Sequence, residues 1–211
     1  AQMSHQREIS EFVQRLKKLL SYNLGKEGRQ TTLRMELEIV KEYIALQQMR
    51  YDFIIEMNIE DGSYLDQPTV RMLFQPLVEN AIRYGLGDDE KISIQVFEDV
   101  ARHLAVVTIS DSGKGLNQEE IDEINQPFDY DWGYWKNENR GIGLRYVKAM
   151  LESFYDGQTS LFVNSKKGFG TRITILLPVR EPEEKKEKDK DKEVTLEENK
   201  VGQTDERIDC R

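Results

Sequence analysis

Residues 91–98, KISIQVFE, alternate apolar and polar side chains, and a link of four residues leads to HLAVVTIS at 103–110, which is more continuously apolar. Strand geometry sends successive side chains to opposite faces, so Ile92, Ile94 and Val96 share one face. A link this short suggests a hairpin. The chain must then build a sheet around that hairpin and cover its apolar face. FIIEMNI (53–59), TSLFVNS (159–165) and TRITILLPV (171–179) read as further strands.

Helical spacing fills the gaps between them. Ile9, Phe12, Val13, Leu16, Leu19 and Leu20 recur at the helical period, with polar residues on the other face. TTLRMELEIVKEYIALQQMRY (31–51) reads as a second helix, capped by Thr31 or Thr32, with Glu36 and Glu38 in its first turns. Leu33, Leu37, Val40 and Ile44 form its apolar stripe. Residues 69–84 read as a third helix, NQEEIDEI (117–124) starts a fourth, and GIGLRYVKAMLESFYDG (141–157) is helical after its glycines. QPFDYDWGYWKNENR (126–140) has no period and reads as a loop. The expected fold is an α/β (α+β) two-layer sandwich, a mixed, mostly antiparallel sheet with helices on one face.

The composition excludes several classes. With 211 residues and a net charge of -9, nonspecific nucleic-acid binding is not expected. The one cysteine, Cys210, allows no disulfide within the chain. No apolar run approaches the roughly 20 residues of a membrane span, and no signal-peptide pattern is present. Acids among the bases on the polar faces of the first two helices argue against a membrane-surface role. EPEEKKEKDKDKEVTLEENK and the residues after it are charged and nearly free of aromatics, so 181–211 are expected to be a disordered tail or a short solvated helix. The chain opens mid-helix at AQMSHQREIS, as a fragment of a longer protein would.

Four short motifs carry the chemistry. In LVENAIRYG (77–85), Leu77 and Ala81 suit a core face, while Asn80, Arg83 and Tyr84 share another. Glu79 and Arg83 are an i,i+4 pair, and Gly85 suits a left-handed C-cap. DSGKG (111–115) follows the strand 103–110 directly, RGIGL (140–144) opens a helix, and KKGFGT (166–171) lies between two strands. Singly, each reads as a turn or as close packing. In this order they supply glycines that let backbone N–H groups approach phosphate, a helix N-terminus that favours anions, an Asp to accept from an amine and an Asn to offer Mg2+ an oxygen.

With MELEIVKEYIALQQMRY, QPLVENAIRYG, DSGKG, RGIGLRYV and GFGT in place, the sequence resembles the ATP-binding domain of sensor histidine kinases of the LytS/YesM type. The wider superfamily includes gyrase B, Hsp90 and MutL, and the resemblance runs from about Leu20 to Pro178. It implies the Bergerat-type ATP-binding fold, with ATP and Mg2+ as ligands. Asn80 matches the metal ligand, Arg83 the basic residue facing the phosphates and Tyr84 the residue beside the nucleotide. Asp111 matches the acceptor of the adenine amine, and Gly113 and Gly115 the first glycine box. Gly141, Gly143 and Leu144 match the second glycine box, and Gly168, Gly170 and Thr171 the last glycine motif. Glu79 is acidic as in the family, either polarising a metal-bound water or pairing with Arg83.

The resemblance also has departures. Tyr84 stands where this subfamily usually has His, and Tyr146 and Met150 where it has Asn and Arg. Pro76 occupies the place of the water-activating Glu of the ATPase members, so little hydrolysis is expected. The stretch from Gly115 to Gly141 carries Phe128, Tyr130, Trp132, Tyr134 and Trp135, which are expected either to pack as a small satellite core or to form a lid that closes on ATP or docks the acceptor helix. The only histidines, His5 and His103, lack the acceptor context, so the phosphoacceptor is expected on a helix upstream of Ala1. The implied organisation is a dimerising helical end (1–24), the ATP-binding domain (25–180) and the tail. The implied partners are the acceptor helix, a response regulator and a second copy of the parent, with this part cytoplasmic and the parent a membrane sensor. A degenerate nucleotide-binding or docking module and a protein-serine kinase of the same superfamily are the rival expectations.

Overall fold

In the computed structural model, residues 2–25, 31–86, 91–125 and 142–180 are described. The elements run α1 (Gln2–Asn23), β1 (Thr31–Thr32), α2 (Leu33–Gln48), β2 (Ile54–Ile59), β3 (Pro68–Thr69), α3 (Gln75–Tyr84), β4 (Lys91–Asp99) and β5 (Leu104–Asp111). They continue with α4 (Gln118–Asn125), α5 (Ile142–Phe154), β6 (Ser160–Lys166) and β7 (Gly170–Pro178), and one 3-10 turn lies at Ser63–Asp66. The predicted hairpin is the β4–β5 pair, in register from Ile92↔Asp111 to Asp99↔Leu104. Around it the sheet order is β2-β4-β5-β7-β6. Only β2–β4 is parallel, so the sheet is mixed and mostly antiparallel as expected.

Alternation decides which face is covered. Ile92, Ile94, Val96, Ala105, Val107, Ile109, Ile173, Ile175 and Leu177 are buried on one side. They pack with Leu33, Leu37, Val40 and Ile44 of α2, Leu77, Val78 and Ala81 of α3, and Leu144, Val147 and Leu151 of α5. The predicted stripe of α2 is therefore core. Thr32 caps this helix by accepting from Met35 N at 3.2 Å. Its opposite side makes a second, smaller core, in which Ile39 and Leu46 meet Leu19 and Tyr22 of α1. The rest of the α1 stripe, Ile9, Phe12, Val13, Leu16 and Leu20, is exposed.

The third helix is shorter than the predicted 69–84. It starts at Gln75 because Thr69 pairs with Thr31 in a two-stranded sheet and Met72 sits at φ 59, outside the helical region. The carboxylate of Glu36 holds that turn. Glu36 is only 2 % exposed. It accepts from Met72 N at 2.9 Å, from Leu73 N at 2.8 Å, and from the Tyr22 hydroxyl. Thr31 Oγ1 also meets the Tyr22 hydroxyl. Arg71 stacks its guanidinium 4.6 Å from the Tyr22 ring centroid and donates to the Tyr22 carbonyl at 2.8 Å. A residue expected to favour the helix dipole is instead a buried joint between α1, α2 and the entrance to α3.

Candidate functional site

A cleft of about 900 Å³, counted out to its open mouth, lies between α3, the end of β5, α4 and the start of α5. Leu77, Ala81, Ile109, Leu116, Ile124, Leu144 and Ile173 give it apolar walls. Its polar side chains include Asn80, Tyr84, Asp111, Lys114, Arg145 and Thr171, with Glu120 and Glu123 on α4. Of the residues singled out in the sequence, the fold thus brings Asn80, Tyr84, Asp111, Gly115, Leu144 and Thr171 to one surface. Gly141 and the aromatic stretch 128–135 lie outside the described residues.

Asp111 is fixed by the backbone. Its Oδ1 accepts from Gly113 N and from Thr171 N, both at 3.1 Å. Those two bonds orient the carboxylate and leave Oδ2 as an acceptor for a donor in the cleft. Burial pushes the Asp111 carboxyl above the ordinary aspartate value, against the two N–H bonds that lower it. The group is a desolvated acceptor among apolar walls, where a hydrogen bond to an amine is strengthened.

The glycines serve this carboxylate more than they serve an open loop. A Cβ on Gly85 would lie 2.4 Å from Asp111 Cγ, and one on Gly113 would lie 2.4 Å from Gly85 Cα. Gly170 sits at φ 88, with a would-be Cβ 2.0 Å from the Asp111 carbonyl oxygen. The end of β5 is clamped between the end of α3 and the start of β7, with no room for side chains. Gly85 therefore needs no left-handed conformation. Its φ is -103, and it is the contact with Asp111 that demands glycine. Gly115 packs on the Lys166 carbonyl, and Gly168 makes the β6–β7 turn at φ 83. Gly168 N donates to the Lys114 carbonyl at 2.7 Å, and Leu116 N donates to Ser165 Oγ at 2.8 Å. The motifs 111–115 and 166–171 are one backbone-on-backbone assembly.

The third glycine motif stands beside Asn80. A Cβ on Gly143 would come 3.5 Å from Asn80 Nδ2 and 3.6 Å from Pro76 Cβ. The start of α5 and the asparagine of α3 thus meet at one end of the cleft. Arg83 does not line it. Arg83 is exposed and donates to Glu79 Oε1 at 2.9 Å, so these two form the surface pair that their spacing allows. Among the described residues, the cations in the cleft wall are Lys114 and Arg145. Lys114 Nζ lies 4.9 Å from the Tyr84 ring centroid. Lys114 stands inside DSGKG and Arg145 inside RGIGLRYV, but a motif read for its glycines does not reveal which neighbours face inward.

His103 is at the wrong end of the sheet for chemistry in this cleft. It is exposed in the turn before β5, at φ 54, while Asp111 ends that strand. Eight strand residues separate them by about 27 Å.

The residues fit an adenine nucleotide and its metal in different degrees. The apolar walls and the desolvated Asp111 suit a flat base bearing an amine. Among the described residues no three His, Cys, Asp or Glu side chains form a metal cluster. The Asn80 side chain offers one neutral oxygen of the kind Mg2+ accepts beside phosphates and water.

The family model "Histidine kinase-, DNA gyrase B-, and HSP90-like ATPase" matches residues 65–181, and the "Histidine kinase" model matches residues 1–54. The sensor protein kinases HptS of Staphylococcus aureus strains RF122 / ET3-1 and USA300 are each 30% identical over 168 residues, 79% of this chain. The chain spans 32% of their length. The Acinetobacter baumannii histidine kinase AdeS shares the fold, with a TM-score of 0.51 at 17% identity over 85% of this chain and 82% of that one. With a match over more than half its length, joined to this sheet and cleft, the chain belongs to the histidine kinase-, DNA gyrase B- and HSP90-like ATPase family.

Proposed function

We propose that this chain is the ATP-binding catalytic part of a two-component sensor histidine kinase. The observation that carries the reading is the Asp111 carboxylate, oriented by Gly113 N and Thr171 N in an apolar cleft that Asn80, packed on the start of α5, also lines. Asp111 accepts from the adenine amine, and Leu77, Ala81, Ile109 and Ile173 exclude water around the base. Tyr84 lies along the nucleotide. Asn80 holds Mg2+, and the unpaired N–H groups at the start of α5 favour the phosphates. Bound ATP supplies the γ-phosphoryl group.

Transfer of this kind needs positioning and charge stabilisation rather than a protein nucleophile in the cleft. The acceptor is a histidine on a helix preceding this chain in the longer parent, and the group then passes to a response-regulator aspartate. Pro76, which faces the start of α5, offers no base for water, in keeping with transfer over hydrolysis. The exposed stripe Ile9, Phe12, Val13, Leu16 and Leu20 fits residues 1–24 as the end of a dimerising helical region. The parent is a membrane sensor and this part is cytoplasmic.

The test uses the full-length parent and γ-labelled ATP with Mg2+. Acid-labile label on the parent, chased onto a response regulator and lost in Asp111→Asn, is the expected result. Acid-stable label on a partner would instead make the protein a serine kinase. Nucleotide binding with no label anywhere would make it a binding module.

A further inference from the structure

Arg145 differs from the arginines engaged elsewhere in that it lines the cleft. Arg15 pairs with Glu11 and Glu42, Arg34 with Asp61 and Asp66, Arg83 with Glu79, and Arg102 with Asp99. Arg172 donates to Ser110, and Arg71 stacks on Tyr22. Arg145 lines the cleft, and its Nε is shut off from solvent with no hydrogen-bond partner among the described residues. A guanidinium is always charged and only donates. A buried N–H without an acceptor is costly, and in a cleft wall a ligand can supply the acceptor.

Its position says what that ligand brings. Arg145 lies in the first turn of α5, two residues past Gly143, which packs beside Asn80. Both the start of α5, through the packing of Gly143 on Asn80, and Arg145 thus border the cleft. The acids of the cleft wall do not neutralise this cation. Glu120 is engaged in a reciprocal cap with Asn117, and neither Glu120 nor Glu123 forms an ion pair with Arg145.

We infer that Arg145, not Arg83, is the arginine that contacts the polyphosphate of the nucleotide. The inference rests on the nucleotide reading above. Guanidinium geometry suits two oxygens of a phosphate group, which a lysine at the same place would hold only as a point charge. Lys114, on the Tyr84 ring, is the second cation of the wall.

The experiment is calorimetric titration of the wild-type chain, Arg145→Gln, Arg145→Lys and Arg83→Gln with tripolyphosphate, ATP and adenosine, without metal. Melting temperatures of all four proteins are read alongside. In Arg145→Gln the affinities for tripolyphosphate and ATP should fall about tenfold or more, as loss of a charge-assisted contact implies. Adenosine affinity should hold, Arg145→Lys should recover part of the loss, and Arg83→Gln should stay within about twofold of wild type. Tripolyphosphate and ATP affinities unchanged in Arg145→Gln would overturn the assignment, and so would a parallel loss of adenosine binding. A wild type that binds tripolyphosphate but neither ATP nor adenosine would sink the nucleotide reading alone, with Arg145 still judged by its own variant. A wild type that binds adenosine but not tripolyphosphate would sink the Arg145 assignment alone.

Discussion

Glu36→Gln is the perturbation that most sharply separates a buried joint from a surface acid. Read from the sequence alone, Glu36 sits in the first turn of α2, and its loss would cost a few tenths of a kcal/mol. In the fold its carboxylate takes three hydrogen bonds, from Tyr22, Met72 and Leu73. Glutamine keeps one acceptor oxygen and turns the other into a donor. If the amide oxygen serves Tyr22 and Met72, the amide nitrogen faces the Leu73 N–H. One charge-assisted bond is lost and one buried donor is left unpaired, about 2–3 kcal/mol together. For a domain of this size that is about 4–12 °C in Tm, readable by scanning calorimetry. Tyr22→Phe removes one donor of the same network, so the double variant should cost less than the sum of the singles. A Glu36→Gln protein melting within about 2 °C of wild type would refute the joint. The pH dependence has a defined sign. Burial raises the Glu36 carboxyl above its ordinary 4.5, against the Tyr22 hydroxyl and the backbone N–H groups. The folded state then holds this proton more tightly than the unfolded one, so the contribution is full below pH 4.5 and is lost as pH rises through the folded value. Glu36→Gln removes the titrating group and should lack this pH dependence.

Two further outcomes follow from the same geometry. Gly85→Ala keeps a φ that alanine accepts, so backbone entropy alone predicts a gain of about 0.4–1 kcal/mol. The added Cβ, 2.4 Å from Asp111 Cγ and 2.6 Å from the Ala81 carbonyl oxygen, should instead cost about 1–3 kcal/mol by overpacking and displace the carboxylate. ATP titration should then show a fall in affinity, and a stabilised variant with unchanged affinity would contradict the clamp. ATP affinity should also decline on acidification at a pH above the ordinary aspartate range, because burial raises the Asp111 carboxyl and a proton on its cleft-facing oxygen turns that acceptor into a donor. Parallel wild-type and Asp111→Asn titrations across pH read this directly, the variant lacking that inflection.

The sheet was legible because strand alternation in 91–98 and 171–179 is local and the core face follows from it. The stripes of α1 and α2 were legible for the same reason. The third helix was drawn too long, because nothing local to residues 69–74 announces Thr31 as a strand partner or Glu36 as a cap. Those partners lie more than thirty residues away. Asn80, Tyr84, Asp111 and Thr171 could be named as candidates because residue type and order carry their chemistry. The inward turn of Arg145 and the outward turn of Arg83 could not. Spacing allowed the Arg83 pair with Glu79 but did not require it, and which side of α5 faces the cleft depends on how α5 packs over the sheet. Gly85 was read as a conformational need and proved to be a steric one, which only the neighbouring carboxylate reveals.

The most direct test of the central claim is calorimetric titration of the purified chain with ATP, with and without Mg2+, beside Asp111→Asn and Asn80→Ala. The account predicts saturable binding, weakened by Asp111→Asn, with the Mg2+ dependence lost in Asn80→Ala. A folded wild type that binds no ATP up to about millimolar concentration, an affinity of only about 4 kcal/mol, would contradict it.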